Sequence, residues 1–230
     1  MRILSWNIRH GARSRVNQVL ERLRSHEPDL VVLCEFRNND AGCLIRRGLE
    51  RMGLVHQRVG NAHPRINTVL IASRTAVRSR RFDGLNAEAH RCVACRVNGM
   101  NLLGLYFPNQ QAKAPIFEFL LNLNPNVFRS PSMLIGDFNT GKPYVDEARD
   151  TFFCSEHFTR LEQVGWVDVW RHLFPTKREY TWYSTRGNGF RIDHAFVSPT
   201  LLPKVRRVAY SHKERESGDS DHSLLMVDIG

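Results

Sequence analysis

The sequence predicts an α/β fold of two stacked mixed β-sheets flanked by helices, and three observations lead there. Strand patterns outnumber helix patterns along the 230 residues. The helices that do occur alternate with strands. No low-complexity linker or internal repeat divides the chain. A doubly wound parallel sheet fits poorly, because each of its strands brings a helix of its own. Residues 1–230 are therefore expected to form a single domain.

Taken in order, Arg2 to Ile8 reads as a strand, and Val16, Val19, Leu20 and Leu23 then fall at helical spacing. His26-Glu27-Pro28 stops that helix. Leu30 to Phe36 is an apolar strand of the kind buried on both faces, and it carries a carboxylate, Glu35, near its end. Leu44, Ile45, Leu49 and Met52 mark a second helix. Strands are expected at Asn67 to Ser73, Arg91 to Val97 and Met100 to Phe107, then a helix around Ile116 to Leu123 and the strand Ser132 to Phe138. A weaker helical pattern surrounds Phe158 and Leu161. Four further strands, Tyr180 to Ser184, Arg191 to Ser198, Val205 to Ser211 and Ser223 to Ile229, complete the chain. The polar residues Asn7, Glu35, Tyr106, Asp137, Asn139, Asp193 and His222 all lie at the end of an apolar strand or just beyond it, where scaffold meets loop and functional groups collect.

Composition narrows the partner. Thirty-three Lys and Arg against 23 Asp and Glu give a net charge of +10, which favours a polyanion. Arg accounts for 28 of the cations, and its planar fork suits phosphate. The longest apolar runs, such as Leu30 to Cys34, are far short of the roughly 20 residues of a membrane span, so no membrane role is expected. The chain opens directly on a strand, with no signal-peptide pattern, and its five cysteines are an odd number. These features give no disulfide framework and make a cytoplasmic location the expectation. Cys92 and Cys95 resemble half a zinc site, but positions three apart on a strand face opposite sides of the sheet.

Gly136-Asp137-Phe138-Asn139 follows the run Met133-Leu134-Ile135. It sets a carboxylate that can take a proton from water beside an amide that can hold an oxygen, a pairing suited to hydrolysis; an Asx-turn at a strand end reads equally well. Asp193 starts a strand and needs a partner if buried, and His222, before the last strand, would serve. Glu35 and Asn7, at the ends of the first two strands, offer oxygen ligands to a hard divalent cation such as Mg²⁺. Trp182 and Phe190 flank the Asp193 strand and could line a pocket for a sugar or unstacked base, although strand aromatics are more often core. Arg9, His10, Arg13 and Arg15 in one region, and Arg186 and Arg191 in another, could contact a phosphate backbone, or form solvated faces.

Together the blocks Leu4-Ser5-Trp6-Asn7-Ile8, Leu33-Cys34-Glu35, Tyr106-Phe107-Pro108-Asn109, Gly136-Asp137-Phe138-Asn139, Arg191-Ile192-Asp193-His194 and Ser220-Asp221-His222 resemble the endonuclease/exonuclease/phosphatase superfamily. The stretch from Phe158 through Trp170 to Asp193 looks most like the exonuclease III and apurinic endonuclease branch. The resemblance implies a DNase I-like four-layer α/β/β/α sandwich. It also implies a Mg²⁺-dependent hydrolase, with Mn²⁺ able to substitute, that cleaves DNA phosphodiesters as an endonuclease or exonuclease, abasic sites included. Glu35, Asn7 and Asp221 would then hold the metal, Asp137 and Asn139 would activate and position water, and His222, held by Asp193, would bind phosphate oxygens with Tyr106. Trp182, Phe190, Arg9 and Arg191 would meet the substrate. The alternatives are a phosphatase or phosphodiesterase acting on a small phosphoester such as an inositol phosphate or phospholipid headgroup, and a nucleic-acid binding module with an idle site. No obligate protein partner is evident.

Overall fold

In the computed structural model, which describes residues 1–80, 88–123 and 125–230, apolar alternation along the strands and helical spacing between them produce four layers. The elements run β1 (Arg2–Asn7), α1 (Val16–Ser25), β2 (Leu30–Phe36), α2 (Asp40–Arg51), β3 (His56–Val59), β4 (Thr68–Ser73), β5 (Val77–Ser79), β6 (Cys92–Val97) and β7 (Met100–Tyr106). They continue through α3 (Ala114–Leu121), β8 (Ser132–Asp137), α4 (Ser155–Gln163), β9 (Val167–Asp168), α5 (Val169–Leu173), β10 (Trp182–Tyr183), β11 (Gly189–Phe190), β12 (Asp193–Val197), β13 (Val205–Ser211), α6 (Lys213–Glu216) and β14 (Leu224–Ile229). One six-stranded sheet has the order β13-β14-β1-β2-β4-β3, the other β5-β6-β7-β8-β12-β9, and β10 forms a two-stranded ladder with β11, with an isolated bridge from Trp182 to His222.

Three apolar clusters separate the layers. Ile3, Val32, Cys34 and Ile71 of the first sheet meet Cys95, Leu102, Ile135 and Val197 of the second. On the outer face of the first sheet, Leu4, Trp6, Val31 and Leu33 pack on Val19 and Leu23 of α1 and Ile45 and Leu49 of α2. Leu103, Leu105, Leu134 and Phe196 of the second sheet pack on Ile116 and Leu120 of α3 and Phe158 and Leu161 of α4. This is the mixed two-sheet sandwich that the sequence predicts. Cys95 lies in the cluster between the sheets while Cys92 packs against the helix-side cluster, so the two thiols face opposite sides, as the strand period requires.

Each sheet has one parallel pair, β1 with β2 and β7 with β8. The C-terminal ends of these pairs carry Asn7, Glu35, Tyr106 and Asp137. The antiparallel partner β12 starts at the same edge, with Asp193 opposite Asp137 in register. The topology thus gathers polar residues from five strands at one end of the sandwich. Differences from the sequence expectation lie in short elements. The run from Arg191 becomes regular strand only at Asp193, the run from Tyr180 keeps only Trp182 and Tyr183, and β3, β5 and β9 are too short to show a clear period.

Candidate active site

Gly136 explains why the Asp137 block has its composition. Its φ of +151° is open to glycine, and a Cβ there would overlap the carbonyl of Leu105 on the neighbouring strand. Asp137 follows, buried at the strand end. Its Oδ1 accepts the backbone N–H of Asn139 at 2.9 Å, so the Asx-turn is present, and it serves to build the site. Its Oδ2 accepts from Asn7 Nδ2 at 2.9 Å. The same nitrogen donates to Glu35 Oε1 at 3.2 Å, so one amide group stands between two carboxylates. The N–H of Arg9 donates to Asn7 Oδ1 at 2.9 Å and fixes the direction in which that amide faces.

Glu35 reaches this position through a backbone irregularity. The pairing of β2 with β4 slips between Leu33 and Phe36, and Glu35 has φ of +54°. Leu33 and Phe36 both pack on the helix side of the sheet, which strict alternation would forbid, so the bulge releases Glu35 toward the cleft. Glu35 Oε2 accepts from the His10 N–H at 2.8 Å and from Asn67 Nδ2 at 2.9 Å, with His10 Nδ1 also 2.9 Å away. The Tyr106 hydroxyl lies 3.5 Å from Asn67 Nδ2. Burial, and then Glu35, push that phenol up to about 12, so it stays a neutral donor at neutral pH.

His222 Nδ1 and Asp193 Oδ2 are 2.9 Å apart, both buried, and His222 Nε2 is 4.0 Å from Asp137 Oδ2. Burial opposes a charged imidazole, but Asp193 and then Asp137 overcome it and raise the His222 pKa. Burial drives Asp137 upward, with His222 pulling the other way. Trp6 Nε1 donates to the His222 carbonyl at 3.1 Å and Ser220 Oγ to that of Asn7 at 2.6 Å, which ties the start of β14 to β1.

Glu35, Tyr106, Asp137, Asn139 and His222 line a cleft of about 520 Å³, whose other wall includes Trp182, Phe190, Thr151, Phe152 and Phe153, while Asn7 and Asp193 support it from behind. Trp182 and Phe190 pair across the β10–β11 ladder, half-buried, and face the cleft. Asp221 is at the rim, where it pairs with the exposed Arg9 at 3.8 Å. Arg191 corrects the sequence expectation of a substrate contact. It is fully buried, with Nε 2.8 Å from Asp146 Oδ1 and Nη2 2.6 Å from Asp168 Oδ2. Two carboxylates consume its donors, and none faces the cleft. It braces the segment that leads into Asp193.

Sequence reasoning missed Asn67, Lys113, Phe152 and Phe153. Asn67 opens an apolar strand, the pattern that marked the other site residues. Lys113 had no such signal; it is buried, lines the cleft and donates to the Asn139 carbonyl. Burial lowers its pKa to about 8. The Glu35 and Asp137 carboxylates present hard oxygen donors that fit a divalent cation, whereas Asn7 turns its Nδ2 toward them and its Oδ1 to the Arg9 N–H, so Asn7 would serve a metal through its oxygen only with the amide turned over. Asp137, Asp193 and His222 also lie close enough together to hold an ion.

Residues 4–222 match the family model described as the endonuclease/exonuclease/phosphatase family. The chain is 24% identical to an exodeoxyribonuclease of Bacillus subtilis (strain 168), across 92% of this chain and 93% of the relative. An AP endonuclease from Archaeoglobus fulgidus superposes with a TM-score of 0.85 at 24% identity, over 100% of this chain and 99% of the other. A 3' phosphatase, NExo, from Neisseria bound to a product DNA hairpin superposes at 0.84 with 25% identity and the same coverage.

Proposed function

The chain belongs to the endonuclease/exonuclease/phosphatase family, and from that membership we propose that it is a Mg²⁺-dependent nuclease hydrolysing phosphodiester bonds in DNA. The observation that carries the reading is the buried constellation in which Asn7 Nδ2 bridges Glu35 and Asp137 while the His222–Asp193 pair abuts Asp137. The names of the relatives, an exodeoxyribonuclease, an AP endonuclease and a 3' phosphatase with a DNA product, support DNA as the substrate. So does the net charge of +10.

Glu35 would hold the metal with Asp221 at the rim, and Asn7 would join them through Oδ1 once its amide turns over from the arrangement in which Nδ2 faces Glu35 and Asp137. When bound, a divalent cation neutralises charge on the scissile phosphate and the leaving oxygen. Mn²⁺ offers the same oxygen preference and substitutes for Mg²⁺. Asp137 accepts the proton of the attacking water, and Asn139, whose side chain is held on the Phe107 carbonyl at 2.7 Å, positions that water. His222, charged and oriented by Asp193, and the neutral Tyr106 hydroxyl donate to the phosphate oxygens as negative charge grows in the transition state. Trp182 and Phe190 receive the sugar or base beside the scissile bond, and Arg9 approaches the backbone from the rim.

The test is turnover by the purified protein, with Mg²⁺ or EDTA, of plasmid, abasic duplex, single-stranded DNA, a 3'-phosphorylated hairpin, RNA and phosphoinositides. Metal-dependent cleavage of DNA is expected. Release from phosphoinositides without cleavage of any nucleic acid would overturn the reading.

A further inference from the structure

Among the described residues, the exposed large aromatic side chains are Tyr144, Phe153 and Tyr183, at 64%, 49% and 41% exposure. All three lie on two segments, the loop 140–153 and the hairpin of β10 and β11, and these segments are one surface. Phe190 bridges to Glu147, the Arg191 N–H donates to the Asp146 carbonyl at 2.8 Å, and the rings of Phe152 and Phe190 meet edge to face at 5.6 Å. Cations interleave with the rings. Arg215 stacks on Tyr183 at 4.5 Å, and Arg178 lies 3.4 Å from the Tyr180 hydroxyl and 3.5 Å from the Tyr144 carbonyl. Tyr180 in turn lies 6.0 Å from Tyr183, its ring packed where any side chain at Gly189 would stand. Arg149, Lys177, Arg178 and Arg186 on or beside these segments are exposed, against two exposed acids, Asp150 and Glu216, the latter 3.9 Å from Arg215.

The loop is held rigidly. Asp146 Oδ2 accepts the Lys142 N–H, and Glu147 accepts the backbone N–H groups of Thr151 and Phe152 at 2.7 and 2.9 Å, with both carboxylates buried. Tyr144 is kept at φ of +61°, a conformation costly for an aromatic residue. Buried carboxylates and a strained backbone thus support rings that stay largely open to solvent.

We propose that this surface is a single-strand platform, on which Tyr144, Phe153 and Tyr183 stack unpaired bases of the nucleic acid strand whose phosphate occupies the cleft, with the interleaved arginines following its backbone. The inference rests on the nuclease reading and names its substrate class: strands with unpaired bases next to the scissile bond. The reason for unpaired bases is physical. In a duplex the base faces are already stacked, so exposed rings gain little from it, whereas an unpaired base of any identity offers a π-face. Phe153 joins the platform to the cleft, since it lines the same wall as Trp182 and Phe190.

The experiment measures anisotropy of a labelled oligothymidylate and of a blunt duplex in EDTA, where binding is read without turnover. Tyr144→Ala, Phe153→Ala and Tyr183→Ala should each weaken the oligothymidylate by about five-fold or more, the low end of the value of one stacked base. Duplex binding should change by less than half as much. Tyr144→Phe and Tyr183→Phe should bind like the parent, because the ring is retained. The substituted side chains are exposed, so an unchanged melting curve is expected and identifies any variant that has merely misfolded. Parent-like binding by the alanine variants overturns the platform, as does an equal loss on both ligands. Sedimentation that shows a dimer dissolved by Tyr144→Ala would also overturn it, by giving the surface to a second copy of the chain. Intact ring-dependent binding together with no Mg²⁺-dependent cleavage of any DNA would sink the nuclease reading and leave the platform standing.

Discussion

Arg191→Met separates a structural arginine from a substrate contact. In the folded protein Arg191 is 0% exposed and donates to Asp146 at 2.8 Å and to Asp168 at 3.2 and 2.6 Å. Its loss leaves Asp146 with a second guanidinium, that of Arg171 at 2.9 Å. Asp168 fares worse. It keeps the Arg171 N–H at 3.2 Å and a distant His194 at 3.8 Å, with no cation in hydrogen-bond range. Removing one partner of a buried pair costs about 3–5 kcal/mol, a large part of the roughly 5–15 kcal/mol that keeps a domain folded. Urea unfolding at pH 7 should show a loss in that range. Asp168→Asn added to Arg191→Met should recover much of it, because no uncompensated charge then remains. The pH dependence has a definite sign. Burial opposes Asp168 ionisation, but Arg191 overcomes it and depresses the folded pKa, so the contribution is full above the unfolded carboxylate value and fades only as pH falls through the depressed one. In Arg191→Met the depressing partner is gone and Asp168 takes a proton more readily, so the gap between the two proteins should narrow as pH falls from 7 toward the unfolded carboxylate value. A KM for DNA raised ten-fold with unchanged unfolding would refute this assignment and return Arg191 to the cleft.

Further outcomes follow from the constellation itself. Glu35→Gln and His222→Ala should each lower kcat by about 10²- to 10³-fold, the usual effect of losing one group aimed at developing charge; a variant within three-fold of the parent removes that residue from the proposed mechanism. EDTA should abolish cleavage while DNA binding persists, with a log K that falls linearly with log salt as phosphate contacts require; metal-independent cleavage contradicts the Glu35–Asn7 assignment. Lys113→Met takes away the donor to the Asn139 carbonyl while keeping the buried aliphatic stem, so kcat should fall with little change in KM, and Lys113→Arg should restore it in part. Equal kinetics for Lys113→Met and the parent would show that this lysine does not position Asn139.

The layers were legible because each apolar cluster follows a period visible in the chain: Val19, Leu23 and Ile45, Leu49 at helical spacing, and Leu30 to Cys34 alternating between two buried faces. Asn7, Tyr106, Asp137, Asp193 and His222 were legible for the same reason, as polar interruptions where buried strands end. Arg191 was misread because an arginine next to a site residue looks identical in sequence whether it faces solvent or two buried carboxylates, and Asp146 and Asp168 are 45 and 23 residues away. Lys113, Phe152 and Phe153 were invisible because they sit in connections without a period, and only the folded chain brings them to the cleft.

Several residues of the site hold backbone in the left-handed region that non-glycine residues avoid: Arg9 at φ +52°, His10 at +54°, Glu35 at +54° and Asn139 at +50°. At three of them the N–H is held by a side chain assigned a role in the chemistry, Asn7 for Arg9, Glu35 for His10 and Asp137 for Asn139. The same groups therefore do two jobs, and substitutions at Asn139 can separate them. Asn139→Ala removes the amide and leaves a side chain at positive φ, whereas Asn139→Gly removes the amide and the strain together. The glycine variant should be more stable than the alanine variant by about 1 kcal/mol, the lower bound of the left-handed penalty. Both should lose about 10²-fold or more in kcat, because neither has an amide to position water. Equal stability of the two would show that φ at Asn139 carries no strain, and an active glycine variant would reduce Asn139 to a turn residue and leave Asp137 to orient water alone.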